Sequence, residues 1–138
     1  MSAAKVFFDT NVVLYLLSAD QLKADRAEEL LASGGTISVQ VLNEFSAVAL
    51  RKSTMNWPEI REVLAEIRKI CPVQPLSLAT HDRAIAIAER YKFSIHDALT
   101  VAAALLADCT VLYSEDMQHG QVIDKQLTIH NPFQLTGR

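Results

Sequence analysis

The chain has 138 residues, half of them hydrophobic and 21% charged, with a formal net charge of −3. These proportions exclude a disordered polyelectrolyte and set an expectation of one globular domain over residues 1–138, large enough to bury a core without disulfides. No apolar run reaches the roughly 18 residues of a membrane span, and the first strand meets an acid too early for a secretory leader, so a soluble cytoplasmic protein with no membrane partner is expected.

The first element is the apolar strand Lys5–Phe8, of the kind buried on both faces, and it runs directly into Asp9. Helical stretches follow in NVVLYLLS and QLKADRAEELLAS, stopped by Gly34-Gly35. Thr36–Val39 is a short β-branched strand, and from Gln40 to Lys52 apolar residues recur with helical period. Asn56 before Trp57-Pro58 opens a strongly amphipathic helix that Pro72 closes, and Val73–Leu76 reads as a third strand. Two helices, Ala79–Arg90 and Ile95–Ala107, precede the strand Thr110–Tyr113, which again runs into acids, Glu115 and Asp116. A last strand, Leu127–His130, ends at Asn131-Pro132-Phe133. Strands alternating with helices predict an α/β fold, a central parallel sheet flanked by helices on both faces. In such sheets ligands sit outside the carboxyl ends of the strands, where Asp9 and Asp116 fall.

Each acid has a plain alternative. Asp9-Thr10-Asn11 also reads as an Asx-turn or helix cap, Ser94-Ile95-His96-Asp97 as a capping box, and Glu115-Asp116 as a polar loop. Glu44 borders the apolar stripe of Val41, Phe45 and Val48, and Asp97 opens the apolar run ALTVAAALLA. Both are therefore expected on buried helix faces, where an unpaired carboxylate requires a cation. Oxygen-only ligands of this kind suit magnesium or manganese better than zinc or copper, and one or two such ions would serve phosphodiester hydrolysis. Cys71 and Cys109 form neither a CxxC nor a metal spacing and fit a reducing compartment. The acidic balance argues against coating nucleic acid by charge alone, although four carboxylates held in a metal site would leave the remaining surface near neutral.

Taken in order, FFDTNVVLYLL, SVQVLNEF, SIHDALTVAAALLADCTVLYSEDMQHG and the closing NPF resemble the PIN-domain ribonucleases, in particular VapC-type toxins of VapBC toxin–antitoxin systems. The resemblance implies a PIN-like, Rossmann-like sheet and a magnesium- or manganese-dependent endoribonuclease acting on single-stranded or loop RNA. Asp9, Glu44, Asp97 and Asp116 match the metal-holding catalytic acids; Glu115 is the alternative for the fourth position. Asn11 and Ser114 match supporting positions. His96 stands where many relatives carry an aromatic residue and is a candidate phosphate contact when protonated, with local capping as its alternative. The resemblance also implies a homodimer and a cognate antitoxin, whose helix would lie in a groove on the amphipathic segments Val12–Leu31 and Glu59–Ile70. The basic residues Arg51, Lys52, Arg61, Arg68, Lys69, Arg83, Arg90 and Lys92 are candidate phosphate contacts or solvated helix faces.

Two rivals stand beside this reading. A haloacid-dehalogenase-type phosphatase also ends its first strand on an aspartate but needs a second one two residues on, where this chain has Asn11. A PIN-like binding or scaffold module would have no use for the unpaired acids. Within the enzyme class, a nuclease acting on DNA is the nearer alternative.

Overall fold

The computed structural model describes residues 4–134. Strand β1 (Val6–Phe8) is followed by helix α1 (Thr10–Leu14) and a 3-10 turn, Tyr15–Leu17. Next come α2 (Gln21–Ala32), β2 (Ile37–Ser38), α3 (Val39–Lys52), α4 (Trp57–Ile70) and β3 (Val73–Gln74). The second half holds α5 (Leu78–Tyr91), α6 (Ile95–Leu106), β4 (Val111–Tyr113), β5 (Val122–Ile123) and β6 (Leu127–His130).

The sheet order is β1-β4-β6-β5, with β1, β4 and β6 mutually parallel and β5 antiparallel to β6. Strands β2 and β3 form a parallel pair that a bridge between Phe7 and Thr36 joins to the free side of β1. Strand β1 therefore has β4 on one side and the β2 segment on the other. The chain leaves the β1–β4 pair in opposite directions across the sheet, which makes their carboxyl ends the topological switch point where a ligand crevice opens.

Successive side chains of β1 point to opposite faces, so Phe7 and Phe8 nucleate two separate cores. Phe7 packs with Leu112, Ile129 and Leu127 against α5 and α6, where Ala98, Ala102 and Ala104 let the helices approach closely. Phe8 packs on the other face with Val12, Val41, Phe45, Ile60 and Ile67, from α1, α3 and α4. Each of these phenylalanines is fully buried, which stabilises the fold by about 1.5–3 kcal/mol apiece. Gly35 is set by the same packing: a Cβ there would lie 2.5 Å from the Phe8 ring.

The structure departs from the sequence reading in its short elements. The helical stretch after β1 is broken into α1 and a 3-10 turn. The strand expected at Thr36–Val39 is reduced to two residues because Val39 already begins α3, and Val73–Leu76 stops at Gln74 before Pro75, which has no N–H to donate. Strand β5 was not anticipated and makes the sheet mostly, not wholly, parallel. Its hairpin turns through Asp124 and Lys125 at φ 50° and 58°, positive values that such tight hairpins require. Tyr91 and Arg83 fasten Asp124 to α5, at 2.9 and 3.1 Å.

Candidate functional site

Asp9 continues β1 by one residue, its N–H donating to the Tyr113 carbonyl at 2.9 Å. It also caps α1, its carboxylate accepting from the Thr10 N–H at 2.7 Å. The second carboxylate oxygen accepts from the Ser114 hydroxyl at 2.8 Å. Ser114 is fully buried, and its hydroxyl oxygen accepts in turn from the Met117 N–H at 3.3 Å, which fixes the start of the β4–β5 loop. Asp9 is only 5% exposed. Burial pushes its carboxyl above the ordinary value; the bonds from Ser114 and Thr10 pull the other way, and the charges of Asp116 and Asp97 push it further up. Three acids distant in sequence thus share one electrostatic site.

Asp116 is exposed and accepts from the side-chain amide of Asn11, in the first turn of α1. Its neighbour Glu115 is turned the other way. The Glu115 carboxylate accepts from the Tyr15 hydroxyl and lies 3.3 Å from Lys23 Nζ, which also donates to the Tyr15 hydroxyl at 3.1 Å. Lys23 sits 4.6 Å from the Tyr15 ring centre, and Phe133 meets that ring edge-on at 4.7 Å. The Glu115 charge is therefore engaged by α2 and the 3-10 turn, while Asp116 faces Asn11 and acts on Asp9.

Asp97 occupies the first turn of α6, where its N–H donates to the Ser94 hydroxyl at 3.1 Å. The reciprocal bond that completes a capping box is present at Asn56/Glu59 and at Ser77/Thr80 but absent at Ser94/Asp97. The cap uses the Asp97 backbone and leaves its carboxylate uncommitted. Glu44 accepts from Gln40 Nε2 at 3.3 Å, one helical turn earlier, and lies 3.8 Å from His96 Nε2.

The expectation that Glu44 and Asp97 lie on buried helix faces is corrected. Both are half-buried, Glu44 with 31% of its side chain exposed. Val41 and Phe45 of α3 point into the Phe8 core, while Glu44 looks out towards the exposed N-terminus of α6. Nor does Glu44 stand alone, since the His96 imidazole faces it. Of the four acids, Asp9 alone is buried. His119 accepts from the Asn131 N–H at 3.0 Å and meets the His130 ring at a tilt, with centroids 4.8 Å apart, so it serves the local turn. Gln40, Tyr15 and Lys23 escaped the sequence reading. The four-residue spacing of Gln40 and Glu44 was a usable signal, whereas Glu115 lies 100 positions from Tyr15 and nothing local linked them.

No ion pair among the described residues includes Asp9, Asp97 or Asp116. No three histidine, cysteine or acidic side chains among them are gathered closely enough to enclose a metal ion. The donor set nevertheless fits a hard divalent cation. Every donor is a carboxylate oxygen with lone pairs to spare, and a buried carboxylate without a positive partner is the arrangement that such a cation relieves.

The family model described as PIN domain matches residues 6–124 of the chain. No curated protein matches the sequence. Among solved structures, a toxin–antitoxin complex from Klebsiella pneumoniae superposes with a TM-score of 0.71 at 19% identity, covering 95% of this chain and 100% of that one. Mycobacterium tuberculosis VapC20, described as a sarcin-ricin loop cleaving toxin, gives 0.62 at 21% identity, covering 81% and 90%. VapBC2 from Rickettsia felis, bound to a DNA fragment from its promoter, gives 0.64 at 15% identity, covering 91% and 97%. At these identities the likeness is one of fold.

Proposed function

This chain belongs to the PIN domain family, and from that premise we propose that it is a divalent-cation-dependent endoribonuclease, the toxin of a VapBC-type toxin–antitoxin pair. The observation that carries the reading is Asp9: buried, unpaired, raised in pKa, and acted on by Asp97 and Asp116. Asp9, Glu44, Asp97 and Asp116 would hold magnesium or manganese, with Asp116 rather than Glu115 as the fourth acid because Glu115 is committed to Tyr15 and Lys23.

A divalent cation bound there supplies Lewis-acid charge to the scissile phosphate and lowers the pKa of water. The chain's own residues do the rest. Ser114 and Thr10 hold the Asp9 carboxylate in one orientation, and Asn11 aims Asp116 across the crevice. Gln40 steadies Glu44, and the Ser94 cap sets the first turn of α6 and with it Asp97. Single strands and loops, whose bases and phosphates are splayed open, are the forms of RNA most accessible to side chains, which favours them as substrate. The description of VapC20 as a sarcin-ricin loop cleaving toxin supports a loop as substrate.

The structural neighbours described as toxin–antitoxin assemblies support a cognate antitoxin. Leu16, Leu31, Ile67 and Ile70 line an apolar groove of about 270 Å³ between α2 and α4, suited to an antitoxin helix. A homodimer, with exposed apolar side chains such as Leu78, Ile85 and Val122 as contacts, completes the proposed assembly.

The test is cleavage of single-stranded RNA by the purified protein with magnesium or manganese, its arrest by EDTA, and its loss in Asp9→Asn and Asp97→Asn. Cleavage that survives exhaustive chelation overturns the cation-dependent reading. Full activity in Asp97→Asn with lowered stability returns Asp97 to a capping role.

A further inference from the structure

We infer that the cavity beside Asp116 is a subsite for one unstacked nucleotide next to the scissile phosphate, with Lys52 contacting that nucleotide's phosphate. The inference rests on the ribonuclease reading for what is cut, and on the cavity itself for where the substrate lies.

The cavity has a volume of about 390 Å³, within the range of small-ligand sites. Leu14 and Leu17, from α1 and the 3-10 turn, form one apolar wall, and Val48 of α3 forms another. Asn11, Glu115 and Asp116 line it as well, so the cavity meets the proposed catalytic site at Asp116. Lys52, in the last turn of α3, is the only cation among the lining residues. No carboxylate among the described residues pairs with it.

That combination matches a nucleotide in each part. A polyanion approaching carboxylates is repelled unless a fixed positive charge receives one of its phosphates, and Lys52 supplies that charge in the cavity lining. A base lifted out of its stack needs apolar surface to replace its neighbours, which Leu14, Leu17 and Val48 offer. Tyr15 is not the platform, because Lys23 and Phe133 already cover its ring. Recognition of RNA by sequence relies on unstacked bases of this kind, so the residues that shape the slot would set the preference for the base beside the cut.

The experiment measures binding of a short single-stranded 2′-O-methyl RNA of mixed sequence, in calcium, by anisotropy and by methyl NMR. The oligonucleotide is expected to shift the methyl resonances of Leu14, Leu17 and Val48. Val48→Trp, which fills the slot, should weaken binding about tenfold, the effect of losing one seated base. Lys52→Gln, an exposed change that leaves the core untouched, should weaken it several-fold and lower the slope of log affinity against log salt by about 0.7. Manganese affinity should be unchanged in both variants. Undisturbed methyls, or unchanged affinity in both variants, overturn the subsite. So does a Val48→Trp protein that loses an antitoxin peptide but keeps the oligonucleotide, since the cavity would then belong to the protein partner. A wild type that binds the oligonucleotide in this cavity yet cuts no RNA with manganese overturns the ribonuclease reading and leaves the subsite standing.

Discussion

Asp9→Asn separates the observed role of one carboxylate, capping α1, from its proposed role, holding a cation. The substitution preserves shape: the side-chain oxygen can keep the bond from Thr10 and the new amide can donate to Ser114, whose hydroxyl oxygen already accepts from Met117. Asparagine caps helices about as well as aspartate. What is lost is charge. The Asp9 carboxyl titrates above its ordinary value of 3.8, chiefly because of burial. The folded state therefore binds this proton more tightly than the unfolded chain does. The sign follows: this group favours folding most below the unfolded value, and its contribution falls as pH rises through the folded value, above which the charged form opposes folding. Removing the charge lifts that opposition but also weakens two charge-assisted hydrogen bonds, each worth about 1 kcal/mol more than its neutral counterpart. The apo protein should keep its stability or gain slightly.

The response to metal should change far more. A cation that binds only the folded state adds RT ln(1 + [L]/Kd), about 2.7 kcal/mol at a hundredfold excess over Kd. For a chain of 138 residues that raises Tm by roughly 5–10 °C. Melting curves of wild type, Asp9→Asn and Asp116→Asn, each in EDTA and in manganese, should show this rise in the wild type and most of it lost in both variants. Glu62→Gln, an exposed change on α4, is the control and should respond as the wild type does. Equal stabilisation of all four proteins would refute the reasoning, because the ion would then be binding away from these acids.

Ser114→Ala leaves a buried Asp9 oxygen and the Met117 N–H without their partner; it should lower stability by about 1–3 kcal/mol in urea titration and move the Asp9 carboxyl further upward by carbon NMR. Gly35→Ala drives a methyl group into the Phe8 ring and should cost about 1–3 kcal/mol, with Asp9 NMR signals disturbed because Phe8 precedes it. Tyr15→Phe removes the hydroxyl that ties Glu115 to the 3-10 turn; hydrogen exchange across residues 114–120 should speed up several-fold while the α5–α6 core stays protected.

Legibility in the sequence followed how locally each feature was encoded. Asp9 could be read because an apolar strand ran straight into it and a helix began on the next residue, so burial and capping were both local facts. The Ser94 cap was equally visible, but which half of the box formed was not, since that depends on where the Asp97 carboxylate turns. Glu44 was misjudged because helical neighbours reveal only the stripe beside a residue, and what covers it came from the start of α6. Glu115 and Asp116 could not be told apart, because the partners that divide them, Tyr15 with Lys23 and Asn11, are brought in by the fold from about a hundred positions away. Strand β5 was illegible for a different reason. Two residues carry no period, and its turn uses Asp-Lys where asparagine or glycine would have announced a hairpin.

The same placements explain how an acid cluster without local cations coexists with a folded chain. Asp9 and Asp97 both stand at helix starts, Asp9 as the cap of α1 and Asp97 in the first turn of α6. Such positions favour a carboxylate by about 0.3–1 kcal/mol, and Asn11 offers a further donor to Asp116 from the first turn of α1. Glu44, in mid-helix, has no such help, and it is the acid that draws on an amide and an imidazole, Gln40 and His96. Each acid is thus partly compensated by neutral dipoles and none by a full positive charge. Dipoles of this size hold the fold without quenching the site's field. The remaining demand for positive charge is what a divalent ion would meet during catalysis, and what a basic side chain from a bound partner would meet in its place.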